Sequence, residues 1–292
     1  MPRDRVPYDA SKPRIAAELL LFSEAARALK VLEPVTPVLV IKGASLAELL
    51  WQPGERDMTD VDLLVAPNSF AGARRALSAA GWTILASRGR PLANRLHRAF
   101  TARSMRGALL DVHASVAQRL RWPVPVTDLL EGAVPLTLGG QPTLRPSFED
   151  SVLIAALNEA KDEHAQHGAG IEDIARLTAL DAIDWATVVR RARRWRATVA
   201  LWLALERARA EFGAAVPDAV RGVLRPRRAA ALETLVDLGG RASRLPQSRR
   251  LRQAVIGPLV TDSPIRFAVS ALAWAAVRAV DAALSPFDAG HE

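Results

Sequence analysis

The stretch that most constrains this chain runs from Val38 to Val65. Val38-Leu-Val-Ile41 is an unbroken apolar run, Lys42-Gly43-Ala44-Ser45 follows it, and Asp60-Val-Asp62-Leu-Leu-Val65 comes next. A short β-branched run bounded by turn residues reads as a buried strand. Gly43 permits a tight turn after it. Leu46, Leu49 and Leu50 recur at helical spacing until Pro53-Gly54 ends that helix. Val61 to Val65 is again a buried-strand pattern, closed by Pro67-Asn68. Side chains alternate along a strand, so Asp60 and Asp62 share a face, about 6–7 Å apart along the chain. Two carboxylates placed in this way repel each other and lose solvation. A divalent cation removes both costs, and carboxylate oxygens suit Mg²⁺, which usually takes substrate phosphates as further ligands. An isolated D-x-D is more often a pair of solvated strand-end residues. The Lys-Gly turn and the helix upstream make this one more specific.

Gly43 followed by Asp60-Val-Asp62 resembles the signature of the DNA polymerase beta-type nucleotidyltransferase superfamily. Within that superfamily, the pattern IKGASLAELLW…R…TDVDLLV is similar to a family of uncharacterised nucleotidyltransferases, from about Leu32 to Phe212. The superfamily commonly has Gly-Gly or Gly-Ser at the turn, whereas this chain has Gly43-Ala44 with Ser45 one place later. The resemblance implies an α+β fold. An N-terminal mixed-sheet nucleotidyltransferase domain, residues 1–146, would precede an α-helical domain, residues 147–292, with the nucleotide in the cleft between them. It implies Mg²⁺-dependent transfer, with Mn²⁺ as a substitute, of a nucleoside monophosphate from a nucleoside triphosphate to a hydroxyl acceptor. Pyrophosphate would be released, and the acceptor would be a small molecule, peptide or protein. By the same resemblance Asp60 and Asp62 would hold two metal ions, one on the triphosphate and one, shared with Asp111, that lowers the pKa of the attacking hydroxyl. The backbone amides of Gly43, Ala44 and Ser45 would cradle phosphate, and Lys42, Arg56 and Lys161 would neutralise phosphate charge. The plainer roles are a sheet cap for Lys42, a loop-positioning pair with Asp57 or Asp60 for Arg56, and an exposed helix end for Lys161.

Gly107 to Ala114 is an apolar strand carrying Asp111. The resemblance makes Asp111 the third carboxylate of the site, placed to take a proton from the attacking hydroxyl. His113 shares its face by alternation. It is either a metal-shell residue or a packed histidine bonded to a carbonyl, and the second is preferred. Leu136 to Pro146 reads as a hairpin closing the sheet, and from Ser147 onward the pattern is helical. The family typically has a basic helix end and then an aspartate opening the next helix, which Lys161 and Asp173 match. Asp173 could hold Lys161 by an ion pair. His97 has no motif context and reads as structural, and the His164 and His167 pair at i, i+3, without a further ligand, is a weak metal candidate.

Composition bounds the rest. The 292 residues include no cysteine, which excludes disulfides and a thiol nucleophile. The N-terminus has no apolar signal core, and the longest apolar stretch, Phe267 to Val277, is shorter than the roughly 20 residues a span needs. No membrane span and a cytoplasmic location are therefore expected. Residues 186–292 hold 18 arginines and 9 acidic residues, leaving 21 basic and 22 acidic in residues 1–185, so the excess of +8 is C-terminal. Arg190, Arg191, Arg193, Arg194 and Arg196 alternate with Val188, Ala192 and Trp195 as a solvated amphipathic helix would. Nucleic acid is thus weighed as a partner and not favoured. A tRNA-modifying, toxin-like nucleotidyltransferase is one alternative function, and a catalytically silent binding module is another.

Overall fold

The computed structural model describes residues 11–85, 98–161, 169–180, 182–230, 232 and 257–284. His97, His164 and His167, with the basic stretch around Arg88 and Arg90, lie outside the described residues. The elements run α1 (Ser11–Leu32), β1 (Val38–Ile41), α2 (Gly43–Leu50), β2 (Asp60–Val65), α3 (Phe70–Ala79), β3 (Thr83–Leu85), β4 (Ala99–Arg103) and β5 (Leu109–His113). They continue with α4 (Val126–Glu131), β6 (Val134–Leu138), β7 (Gln141–Arg145), α5 (Phe148–Lys161), α6 (Ala169–Thr178), α7 (Trp185–Arg194), α8 (Thr198–Phe212), α9 (Asp218–Leu224) and α10 (Pro264–Leu284). The chain is α+β: a mixed sheet in order β3-β4-β5-β2-β1-β7-β6, followed by helices.

The register explains why the carboxylates look toward the helices. β1 pairs antiparallel with β2, with Ile41 opposite Asp62 and Leu39 opposite Leu64. β5 runs parallel to β2 on its other side, with Asp111 beside Asp62 and His113 beside Leu64. Strand alternation therefore puts Leu39, Ile41, Asp62, Leu64, Asp111 and His113 on one face. The apolar members of that face, Leu39, Ile41 and Leu64, share a buried core with α5, α6 and α8 through Ile154, Ile171 and Leu201. The opposite face carries Val38, Val40, Val61 and Leu63 and packs on α1 and α3 through Phe22, Leu29, Ala73 and Leu77.

Two local expectations need correction. The apolar spacing of α1 points to Ile15, Leu19, Leu20, Phe22, Ala26 and Leu29, yet Leu19 is 63% exposed and the buried stripe is Leu21, Phe22, Ala25, Ala28, Leu29 and Leu32. Four consecutive apolar residues, Leu19 to Phe22, let the pattern slide by a position. Asn68 reads as the cap of α3, but the helix starts after Ser69, and Ser69 makes no side-chain cap bond. Asp184, by contrast, caps α7 by accepting from the amides of Ala186 and Thr187. That helix buries Val188 and Ala192, with Trp195 at its C-cap. Among its arginines, Arg191 pairs with buried Asp150, and Arg194 pairs with Asp128 at 3.1 Å. No described helix is long and apolar enough to cross a membrane.

Candidate active site

The site begins where β1 becomes α2. The turn residue with left-handed backbone is Lys42, at φ 58 and ψ −138, and Gly43 does not share that geometry. A non-glycine residue held there costs about 1–3 kcal/mol. Gly43 instead leaves room for Arg56. A Cβ on it would lie 3.1 Å from Arg56 Nη2 and 3.4 Å from Met58 Sδ. Ser45 closes the turn, with its hydroxyl donating to the Lys42 carbonyl at 2.7 Å and its amide to the same oxygen at 3.2 Å. Of the three residues expected to cradle phosphate, Ser45 is thus engaged locally. The amides of Gly43 and Ala44 stand at a helix start, where no intrahelical acceptor exists.

Asp62 is the hub of the charged cluster. Lys42 Nζ donates to its Oδ1 at 2.6 Å, and His113 Nε2 lies 2.8 Å from the same oxygen. His113 therefore meets a carboxylate and not the backbone carbonyl expected for it. Thr101 on β4 stands opposite Asp111 and donates to Asp111 Oδ1 at 2.6 Å. Ligand atoms of Asp62, Asp111 and His113 all lie within 4.8 Å of one another. Asp60, at the start of β2, is not in that group but belongs to the same charge field. Burial raises its pKa, and the charges of Asp62 and Asp111 push the same way. Burial also pushes Asp62 upward, but His113 and Lys42 outweigh it and hold Asp62 down at about 2.

The sign of that shift has a consequence for stability. Asp62 binds its proton more weakly in the folded chain than in the unfolded one, whose carboxyl titrates near 3.8. It therefore contributes stability above pH 4, lost as pH falls through 2, of about 2 kcal/mol. In metal-free urea titrations, the stability difference between wild type and Asp62→Asn should shrink as pH drops from 5 toward 2. A difference independent of pH would mean that Lys42 and His113 do not hold the carboxylate in solution.

Arg56 and Asp173 link the sheet to the helices. Arg56 Nε donates to Asp173 Oδ1 at 3.0 Å and Nη2 to Oδ2 at 2.7 Å, a two-pronged pair. Its Nη1 donates to the Asp57 carbonyl, so neither the Asp57 nor the Asp60 side chain is its partner. Trp51 Nε1 adds a third bond to Asp173 at 3.0 Å, and the Arg176 guanidinium lies 3.7 Å from the Trp51 ring centre. Burial raises the pKa of Asp173, while Arg56 and Trp51 act against it. Asp173 is thus committed to Arg56 and not to Lys161, whose Nζ donates to Asn158 Oδ1 at 3.2 Å.

Between these groups lies a cleft of about 150 Å³. Lys42, Gly43, Arg56, Asp60 and Asp62 line one wall, while Ser151, Ile154, Ala155 and Asn158 of α5, with Gly170 and Asp173 of α6, line the other. One end is charged and the α5 wall is neutral. Ser151 is buried, and its hydroxyl has no hydrogen-bond partner among the described residues. Trp51 ends the IKGASLAELLW pattern but has no role assigned there. Thr101, Ser151 and Asn158 escape a reading of the sequence. Each is a lone residue without a motif, and only the register of β4 on β5, or the face of α5, brings it to the site. Ser151, Ile154, Ala155 and Asn158 at i, i+3, i+4, i+7 are one helical face, a signal that spacing could have supplied.

Three solved structures are similar to this chain at low identity. An antigenic nucleotidyltransferase-like protein from Paracoccidioides brasiliensis is 18% identical, with TM-score 0.38, over 64% of this chain and 92% of that one. The complex of ANT(2'')-Ia with adenylyl-2''-tobramycin is 15% identical, with TM-score 0.33, over 73% and 97%. The solution structure of the antibiotic-resistance factor ANT(2'')-Ia is 17% identical, with TM-score 0.33, over 78% and 99%. No curated protein matches the sequence. One family model, described as uncharacterised nucleotidyltransferase, matches residues 10–213, which include β1, α2, β2, β5 and both walls of the cleft. The chain therefore belongs to the uncharacterised nucleotidyltransferase family.

Proposed function

We propose that this protein transfers a nucleoside monophosphate from a nucleoside triphosphate to a hydroxyl acceptor. The observation that carries this reading is the side-by-side register of Asp62 and Asp111 on the face that looks toward the α5 and α6 wall. The reading treats residues 1–146 and 147–292 as the two domains that meet at the cleft. The acceptor oxygen forms a bond to the α-phosphorus, the bridging bond to the β-phosphate breaks, and pyrophosphate leaves with that electron pair. The hydroxyl proton passes to Asp111. Thr101 occupies Asp111 Oδ1 and leaves Oδ2 to receive it. Lys42 and Arg56 place positive charge at the charged end of the cleft; Lys161, at the end of α5 and outside the cleft lining, would have to reach in to add to it. The uncharged α5 wall suits the nucleoside.

The donor set fits a divalent cation: two carboxylates and an imidazole have ligand atoms within 4.8 Å, with Asp60 beside them. Asp60, Asp62 and Asp111 would hold Mg²⁺ or Mn²⁺, with His113 in support. Bound there, the metal supplies charge neutralisation for the phosphates and acidifies the acceptor hydroxyl. Chelation should abolish pyrophosphate release, and either Mg²⁺ or Mn²⁺ should restore it. Release that persists in excess chelator would remove the metal from the account.

Lys161 and Ser151 separate the two ends of the substrate. Lys161→Ala should weaken triphosphate binding more than diphosphate or monophosphate binding. Ser151→Ala should weaken all three nucleotides several-fold and leave inorganic tripolyphosphate untouched. Calorimetric titrations showing equal losses for every ligand in both variants would contradict this orientation.

A further inference from the structure

A cavity of about 610 Å³ lies outside the nucleotide cleft, between the segment that follows β5 and the last helix, α10. Its volume is in the range of small-molecule sites, about 300–1,000 Å³. Its place in the fold ties it to Asp111. The Ala114 amide, one residue past His113, donates to the carbonyl of Arg98 at 2.8 Å, and Arg98 lines the cavity. The following segment contributes Gln118, Arg119 and Val124 to the lining. Trp122 and Val124 of that segment are buried in the core on the carboxylate face. The cavity therefore adjoins the face that bears Asp111 and His113, beyond the end of β5. At about 3.3 Å per strand residue, the backbone at Ala114 and Arg98 is about 10 Å from Asp111.

The walls are built. Buried Arg121 donates to the Gly257 carbonyl at 3.0 Å, and its guanidinium lies 3.9 Å from the Trp122 ring centre and 5.1 Å from that of Phe267 on α10. Arg266 of α10 donates to the Leu120 carbonyl at 3.0 Å. These contacts fix α10 across the mouth of the segment. The charge of the lining is one-sided. Arg98 and Arg119 are exposed, neither forms an ion pair with a described residue, and no carboxylate among the described residues lines the cavity. Arg98 is also held at φ 45, a left-handed backbone that costs a non-glycine residue free energy. Trp274 and Pro123 supply apolar surface beside the two guanidiniums.

We propose that this cavity holds the acceptor, a small molecule whose phosphate or carboxylate group meets Arg98 and Arg119. The attacking hydroxyl of that molecule would point toward Asp111, whose backbone is about 10 Å from that of Ala114. The proposal rests on the transfer reading above and adds the acceptor's chemical class to it. Two guanidiniums in one lining select a planar or tetrahedral anion over a neutral polyol.

The test uses phenyl phosphate as the anionic probe and phenol as its neutral counterpart. Both are followed by saturation-transfer difference NMR on the full chain, with Mg²⁺ and a saturating α,β-methylene triphosphate to fill the cleft. Phenyl phosphate should bind, phenol should not, and the double variant Arg98→Gln/Arg119→Gln should weaken phenyl phosphate at least tenfold with the nucleotide analogue bound as before. No binding of phenyl phosphate, equal binding to the double variant, or equal binding of phenol would each overturn the anionic pocket. Ala273→Trp, which fills the cavity from α10, should cut transfer of α-labelled nucleotide to cell-extract acceptors at least tenfold while analogue binding persists. Undiminished transfer would overturn the acceptor role alone. Failure of the analogue to bind wild type would instead strike the transfer reading, so the two failures are told apart within the same samples.

Discussion

Asp60→Asn and Asp62→Asn should each fold normally and lose nearly all transfer activity, by about 10³-fold, equivalent to about 4 kcal/mol of transition-state stabilisation. The two variants should differ in stability. Burial and the charges of Asp62 and Asp111 already oppose ionisation of Asp60, so its neutral replacement relieves repulsion and should not destabilise the fold. Asp62 accepts from Lys42 and faces His113, so its replacement weakens two contacts. Asp111→Asn should be nearly as inactive as the first two, because it removes the proposed proton acceptor while keeping the oxygen that accepts from Thr101. Steady-state rates with Mg²⁺, beside circular dichroism for the fold, check this. Near-normal turnover in either Asp60→Asn or Asp62→Asn would remove the carboxylate pair from the chemistry.

The second large effect is expected at Arg56. Its side chain and that of Asp173 are 11% and 3% exposed, and the two are joined by two hydrogen bonds across the cleft. Removing one partner of a buried pair leaves the other charge without compensation, which typically costs about 3–5 kcal/mol. Arg56→Ala should therefore destabilise the protein by about that much in urea denaturation. Arg56→Lys should recover only part of the loss, because an ammonium cannot make the two parallel bonds. The double variant Arg56→Met/Asp173→Leu should be more stable than Arg56→Ala, since no buried charge remains. A loss under about 1 kcal/mol for Arg56→Ala would mean that the pair is solvated and does not join the two walls.

The strands and the carboxylates were legible because they depend on local rules. An apolar run, a turn and period-two alternation suffice to place Asp60 and Asp62 on one face, and the same alternation puts His113 with Asp111. What those rules could not supply was partners distant in the chain. Asp173 pairs with Arg56, 117 positions away, whereas the family resemblance pointed to Lys161. Gly43 was read from the backbone freedom of glycine, but the positive φ falls on Lys42, and what a side chain at position 43 would crowd is Arg56, arriving from a later loop. Helix α4 is six residues long and too short to show a period. Thr101 became visible only when β4 registered against β5.

The central claim is transfer of the α-phosphate with its nucleoside, and position-specific labelling tests it most directly. Purified protein would be incubated with Mg²⁺, cell extract and nucleoside triphosphates labelled either at the α- or at the γ-phosphate. The account predicts that α-label becomes attached to an acceptor in step with pyrophosphate release, that γ-label appears only in pyrophosphate, and that Asp62→Asn does neither. Transfer of γ-label to an acceptor, or attachment of α-label that is equal in Asp62→Asn, would contradict it.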